Sequence, residues 1–247
     1  QLRDMGMANV YFKMAGFDPE DLEHILRLAS KAQVDMVTFD GAGGGSGYSP
    51  CKMMNEWCPP TVVMESILYG ILNKLAAEGM ELPHVAITGG FATEDQVYKA
   101  LALGAPYVKA VCMSRSFMIP AFLGCNIEGA LHPERRERVH GAWSALPKTV
   151  LDIGDTPETI FAGYHALKER LGADEMAHIP YGAIAMWTMC DRLGAGLQHH
   201  MAGARKFGVE HIDRTDICAA NRETAQETGI PFITEQDDEL ARRIVLG

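Results

Sequence analysis

The chain has 247 residues, 47% hydrophobic and 22% charged, with 25 glycines and a formal net charge of −10. That composition belongs to a globular protein of one large domain or two small ones. The acidity argues against nucleic acid or an anionic membrane as a main partner, and no run of about 18 apolar residues marks a transmembrane helix.

Gln1 is not an initiator residue, and the first six residues read like the tail of a helix, so the sequence is expected to begin within a longer protein. Residues 10–14 form a short β-prone run carrying Lys13. Asp18-Pro19-Glu20-Asp21 has the marks of a helix start: an N-cap, proline in the first turn and acids behind it. Leu22, Ile25, Leu26 and Ala29 follow at helical spacing. Residues 34–39 predict a second strand, apolar throughout, as for a strand covered on both faces.

A glycine loop follows, in which five of the seven residues 41–47 are glycine, ending in Tyr48-Ser49-Pro50. Pro60 opens an apolar helix with Gly79 as its stop, and residues 84–88 are the third strand, ended by Gly89-Gly90. Thr93 and Gln96 make a capping-box pattern, Gly104 closes that helix, and residues 107–112 are the fourth strand. Ser114-Arg115-Ser116 and an apolar stretch come next. This rhythm means right-handed βαβ units and a parallel sheet, either doubly wound or part of a (β/α)8 barrel.

Beyond residue 125 the pattern turns helical and irregular. A charged helix start is predicted at 133–138. Another is predicted at Thr156-Pro157-Glu158, with Ile160, Tyr164, Leu167 and Leu171 on one continuous face. Two further helical segments are predicted at 181–193 and 197–207. Residues 1–125 are read as the strand–helix unit and 126–247 as a helical C-terminal extension packed on it.

In parallel α/β folds ligands bind at the carboxyl ends of the strands. The candidates there are Lys13, the loop with Asp40, Gly43, Gly44 and Gly45, the Gly89-Gly90 turn, and Ser114-Arg115. Backbone N–H groups freed by glycine, and at the helix after Ser114, suit an anion. Arg115 adds a bidentate donor. Lys13 at a strand end suits negative charge developing on a ligand. Asp40 suits two roles, fixing the loop through backbone N–H bonds or touching the ligand. The six scattered cysteines form no Cys-x-x-Cys pair and are expected as reduced thiols in a cytoplasmic protein. His199 and His200 point from adjacent helix faces and are not read as a joint metal site.

At these residues the sequence resembles the FMN-binding domain of the glutamate synthase family. The resemblance runs from about Asn9 to Cys125. It is carried by Tyr11-Phe12-Lys13, the Asp40 to Pro50 loop, the Gly89-Gly90 turn, Ala100 to Ala105, and Leu123-Gly124-Cys125. It implies the C-terminal half of a (β/α)8 barrel, these being strands five to eight, with the N-terminal half in the same or another chain. It implies FMN, with Lys13 at the flavin, the 43–47 loop beside it, and Gly89, Gly90, Ser114 and Arg115 on its phosphate. The implied reaction is reductive amination, in which 2-oxoglutarate and ammonia or glutamine-derived nitrogen give 2-iminoglutarate, reduced to L-glutamate. An electron-donor protein or domain is a further expected partner.

The sequence departs from the family at two places. The family's 3Fe–4S cluster uses cysteines spaced C-x5-C-x4-C, where this chain has Cys125, Leu131 and Arg136, so the cluster is expected to be absent. The last strand ends in Val111-Cys112-Met113-Ser114-Arg115 where the family has a small Gly-Thr turn, which puts more weight on Arg115. Two alternatives follow. One is a flavin barrel acting on another small oxo or amino acid, or using FMN without net redox. The other is a degenerate, non-catalytic subunit.

Overall fold

The computed structural model describes residues 2–42, 48–138 and 143–246. The chain divides into two compact units, one combining Gln1–Met113 with Gln198–Gly247 and the other spanning Ser114–Leu197. The first unit is built on strands β1 (Tyr11–Ala15), β2 (Met36–Asp40), β3 (His84–Thr88) and β4 (Val108–Cys112). They form one parallel sheet in chain order, β1-β2-β3-β4. Helices α1 (Pro19–Lys31), α2 (Cys51–Asn55), α3 (Thr61–Ala77) and α4 (Glu94–Leu103) lie between the strands in sequence.

The helix starts follow from their caps. Asp18 accepts hydrogen bonds from the backbone of Glu20 and Asp21 at the head of α1, and Thr93 and Gln96 form the capping box of α4. The β2 strand begins at Met36 rather than at residue 34. Val34 N–H bonds to Ala29 O to close α1, and the Asp35 carboxylate accepts from Val10 N. Residues 2–6 form turns, not the helix tail expected there.

The strand register divides the sheet into two faces, because successive side chains alternate. Val37 and Phe39 of β2 and Val85 and Ile87 of β3 point one way. They pack with Leu22 and Leu26 of α1 and Met64, Leu68, Leu72 and Leu75 of α3 into the main core. Lys13, Thr38, Ala86 and Ala110 share the other face, as do the strand-end neighbours Ala15, Asp40, Thr88 and Cys112. That second face is not sealed like the first: Tyr11 is 57% exposed, and Thr38 is only half-buried.

The second unit opens with α5 (Arg115–Leu131), which carries Pro120 in its interior, and a 3-10 segment at Pro133–Arg138. The short helices α6 (Lys148–Leu151), α7 (Pro157–Ile160), α8 (Tyr164–Leu171) and α9 (Ala173–Met176) follow, and then α10 (Tyr181–Gly203). The continuous helix expected after Thr156 is broken into α7 and α8. Phe161 adopts an extended backbone and is buried edge-on against Tyr181, 5.7 Å between ring centroids. The two helices expected across 181–207 are instead one of 23 residues. Buried Ile184, Leu193 and Met201 hold it through Gly194 and Gly196.

Buried Glu128 of α5 accepts from Tyr181 N at 3.1 Å and from Arg135 at 3.2 Å, and burial pushes the Tyr181 hydroxyl up to about 12. The C-terminal segment of the first unit carries a 3-10 turn at Arg214–Asp216, then α11 (Arg222–Thr228) and α12 (Asp238–Leu246). Leu103, Ala219 and Ile230 join in a small buried cluster. No helix among the described residues is long and apolar enough to cross a membrane.

Candidate functional site

Four of the residues singled out by sequence, Lys13, Asp40, Gly89 and Gly90, lie at the carboxyl ends of the strands. Lys13 and Asp40 lie on the same sheet face, two positions apart in register, and the Lys13 ammonium donates to Asp40 Oδ2 in an ion pair. The pair is asymmetric. The Asp40 side chain is 7% exposed and the Lys13 side chain 55%, so a buried carboxylate anchors an ammonium that still faces outward. This positions positive charge at the strand ends, suited to an anion or to negative charge developing on a bound group.

The loop ends are stitched together by backbone. Gly16 N donates to Asp40 O at 2.7 Å and Gly41 N to Thr88 O at 2.8 Å, tying β1 to β2 and β2 to β3 where the strands stop. Thr61, the first residue of α3, donates its hydroxyl to Gly89 O at 2.8 Å. Gly41 and Gly89 both press on that threonine. A Cβ on Gly41 would lie 2.8 Å from Thr61 Cα, and one on Gly89 would lie 2.9 Å from Thr61 Oγ1 and 3.0 Å from the Gly41 backbone. Gly89 and Gly90 also take φ of +116° and +87°, which L side chains rarely adopt. For Gly41 and Gly89, close packing on Thr61 is by itself a sufficient reason for glycine.

Lys13, Asp40, Gly89 and Gly90 thus belong to one strand-end cluster in the first unit. Gly43, Gly44 and Gly45 lie outside the described residues. Ser114 and Arg115 open the second unit. Ser114 is the N-cap residue of α5, and its carbonyl accepts from Phe117 N at 3.0 Å and Met118 N at 3.2 Å. One residue of the strand-end cluster, Thr61, escaped the sequence reading. Thr61 follows a Pro-Pro pair, a helix-start signal whose hydroxyl had no visible target. Cys112 ends β4 opposite Thr88 and faces the Lys13–Asp40 pair. Burial raises its thiol, the Lys13 ammonium acts to lower it, and Asp40 acts to raise it.

The second unit determines what the positions around Cys125 can ligate. Leu131 packs into an apolar cluster with Ile127 and Tyr181. Arg136 donates to Gly129 O at 2.8 Å and to Ser144 O at 2.7 Å. A side chain of carbon and a guanidinium bound to carbonyls are not iron ligands, so this donor set does not fit a three-thiolate cluster. Among the described residues no group of three or more His, Cys, Asp or Glu is placed to hold a metal ion.

Comparison with known protein families gives a match. The conserved region in glutamate synthase covers residues 1–134. No curated protein and no solved structure matches the chain.

Proposed function

The chain belongs to the glutamate synthase family, and from that premise we propose that it is the C-terminal half of an FMN-binding (β/α)8 barrel whose reaction forms L-glutamate by reducing 2-iminoglutarate. The observation that carries this reading is the Lys13–Asp40 pair at the carboxyl ends of a four-stranded parallel sheet. The strand order supports a barrel over a doubly wound sheet, because it runs β1 to β4 without the reversal that makes a switch point. The two faces support it too. One face is packed by α1 and α3, while the other carries small and polar side chains around Lys13, as an inward barrel face does.

The residues present fit a flavin mononucleotide. An outward-facing ammonium suits the negative charge of a reduced flavin ring, and a turn with two successive positive-φ glycines lines up backbone N–H groups for a phosphate. Lys13 would hold the ring, and Gly89-Gly90 would hold the phosphate. Bound there, FMN supplies hydride chemistry. The chain's own contribution is electrostatic. Asp40 orients Lys13, and Lys13 stabilises anionic character at the strand ends. A partner barrel half, in the same or another chain, would complete the sheet and cover the face at Tyr11. An electron-donor protein or domain would supply reducing equivalents.

The test is colour and turnover. The intact protein is expected to carry flavin absorbance and release FMN on denaturation, and to form L-glutamate from 2-oxoglutarate, a nitrogen source and a reductant. Absence of FMN from the intact protein would end the reading. The side chains at Leu131 and Arg136 favour a second one, in which the flavin site is kept and the substrate is another small oxo or amino acid. FMN bound with no glutamate formed would select it.

A further inference from the structure

Away from the Lys13–Asp40 pair, a cavity of about 840 Å3 lies among the first turns of α3, the helix α4, the end of α10 and residues 216–230. Its volume is in the range of small-molecule sites. Its wall is largely apolar, with Val62, Phe91, Leu103, Ile217 and Ile230 on it. Into this wall is set Glu65, 2% exposed, whose Oε1 has no hydrogen-bond partner among the described residues.

That carboxyl is an anomaly on its own helix. Met64, Leu68, Leu72 and Leu75 meet the core with carbon alone. Burial pushes the Glu65 carboxyl well above the usual range, and Arg214 acts against this without bonding to it. The Arg214 guanidinium donates instead to Leu103 O at 2.5 Å and Thr228 O at 2.6 Å, and stacks on Tyr69. The carboxyl packs closely where Gly104 also leaves room for Val108, whose Cγ2 a Cβ there would overlap. A Cβ on Gly104, at the end of α4, would come 2.7 Å from Glu65 Oε1. A buried acceptor left unfilled costs stability, and such costs are retained where a group serves a ligand.

We propose that this cavity binds a small, flat, neutral and largely apolar molecule that donates an N–H to Glu65. The wall selects that class. Asp95 and Lys99 line it as a pair, and Asp216 is paired with Lys206, so its charged lining is balanced and favours a neutral ligand over an ion. The apolar surface favours a ring system, and the free carboxyl oxygen requires a donor. Thr61, Gly89 and Gly90 of the strand-end cluster also line the cavity, so it adjoins the proposed phosphate position, but its ligand is recognised by Glu65 and not by Lys13 or Asp40.

The full chain, labelled at isoleucine methyls, is titrated with indole and with benzofuran, which has the same shape but no N–H. Indole is expected to shift the Ile217 and Ile230 methyl signals saturably and to bind about fivefold tighter than benzofuran, the worth of one buried hydrogen bond. Glu65→Met should abolish the preference and raise the melting temperature, whereas Glu65→Gln, which keeps an acceptor, should retain the preference. Equal binding of the two probes, no shift at Ile217 and Ile230, or a lower melting temperature for Glu65→Met would each overturn the proposal. Should Glu65→Met not fold, the proposal falls on that outcome as well, because the carboxyl would then be structural.

Discussion

Replacing Lys13 with methionine keeps the unbranched stem and removes the ammonium, so Asp40, 5% exposed, loses the cation that anchors on it. Removing one partner of a fully buried pair costs about 3–5 kcal/mol. A fully exposed pair is worth about 0.2–1 kcal/mol. This pair lies between, with one end 7% and the other 55% exposed, so water retains access from the lysine side. A loss of about 1–2 kcal/mol follows. For a chain of this size that corresponds to a fall of about 3–6 °C in Tm. Asp40→Asn removes the buried charge itself, so Lys13→Met should cost little in that background. Thermal unfolding of the four proteins by circular dichroism at neutral pH gives the coupling energy, expected at about 1 kcal/mol or more. A cost for Lys13→Met that is unchanged by Asp40→Asn would refute the anchoring role. Under the flavin reading the same variant should also bind FMN more weakly, and unchanged FMN content and turnover would remove Lys13 from the site.

Gly41→Ala should destabilise by about 1–3 kcal/mol in urea unfolding, because its Cβ meets the Thr61 backbone and one segment must move; wild-type stability would deny the close approach. In the second unit, Glu128→Leu deprives Tyr181 N–H of its acceptor and should cost about 2 kcal/mol, with Glu128→Gln recovering most of it. Asp95 is held at about 2 by bonds from Thr93 and Lys99, and Asp213 at about 2 by Lys206 and Thr215. Their folded-state values are depressed, so their contribution is present above pH ~4 and lost as pH falls toward ~2. Both side chains are substantially exposed, which limits each to about 1 kcal/mol, and Asp213→Asn should flatten Tm against pH across that window. Leu131→Cys with Arg136→Cys should lower Tm, because the apolar packing of Leu131 and the two carbonyl bonds of Arg136 are lost; an unchanged Tm would contradict the packing described for these residues.

The strand–helix rhythm of the first unit was legible because its signals are local. Asp18 caps by its own side chain, Thr93 and Gln96 cap each other, and Gly89-Gly90 stop a strand by conformation. What failed was decided by distant partners. A helical stripe through Ile160, Tyr164 and Leu167 cannot reveal that Phe161 leaves the helix to pack on Tyr181. The apolar run at 181–193 and the helical pattern at 197–207 read as separate segments, yet one helix runs through both. In the site, Lys13 and Asp40 were legible from strand-end position. Thr61 and Glu65 were not, since each acquires its role from neighbours 20 or more residues away, such as Gly89 for Thr61.

The strand-end cluster and the segment after Cys125 differ in what they keep of the family pattern. The strand-end cluster keeps what a flavin site asks of a protein, a cation held by a buried carboxylate and a glycine turn beside it. The segment after Cys125 has turned its two remaining ligand positions to other work. Leu131 fills an apolar cluster, and Arg136 satisfies the carbonyl of Gly129 near the end of α5, where a helix leaves its last C=O groups without intrahelical donors. The guanidinium also reaches Ser144 O, so one side chain bridges two stretches of backbone. A thiol at either position would forfeit that contact and gain no partner unless the other changed too. The exchange is therefore a coherent structural replacement of ligands by packing and capping groups.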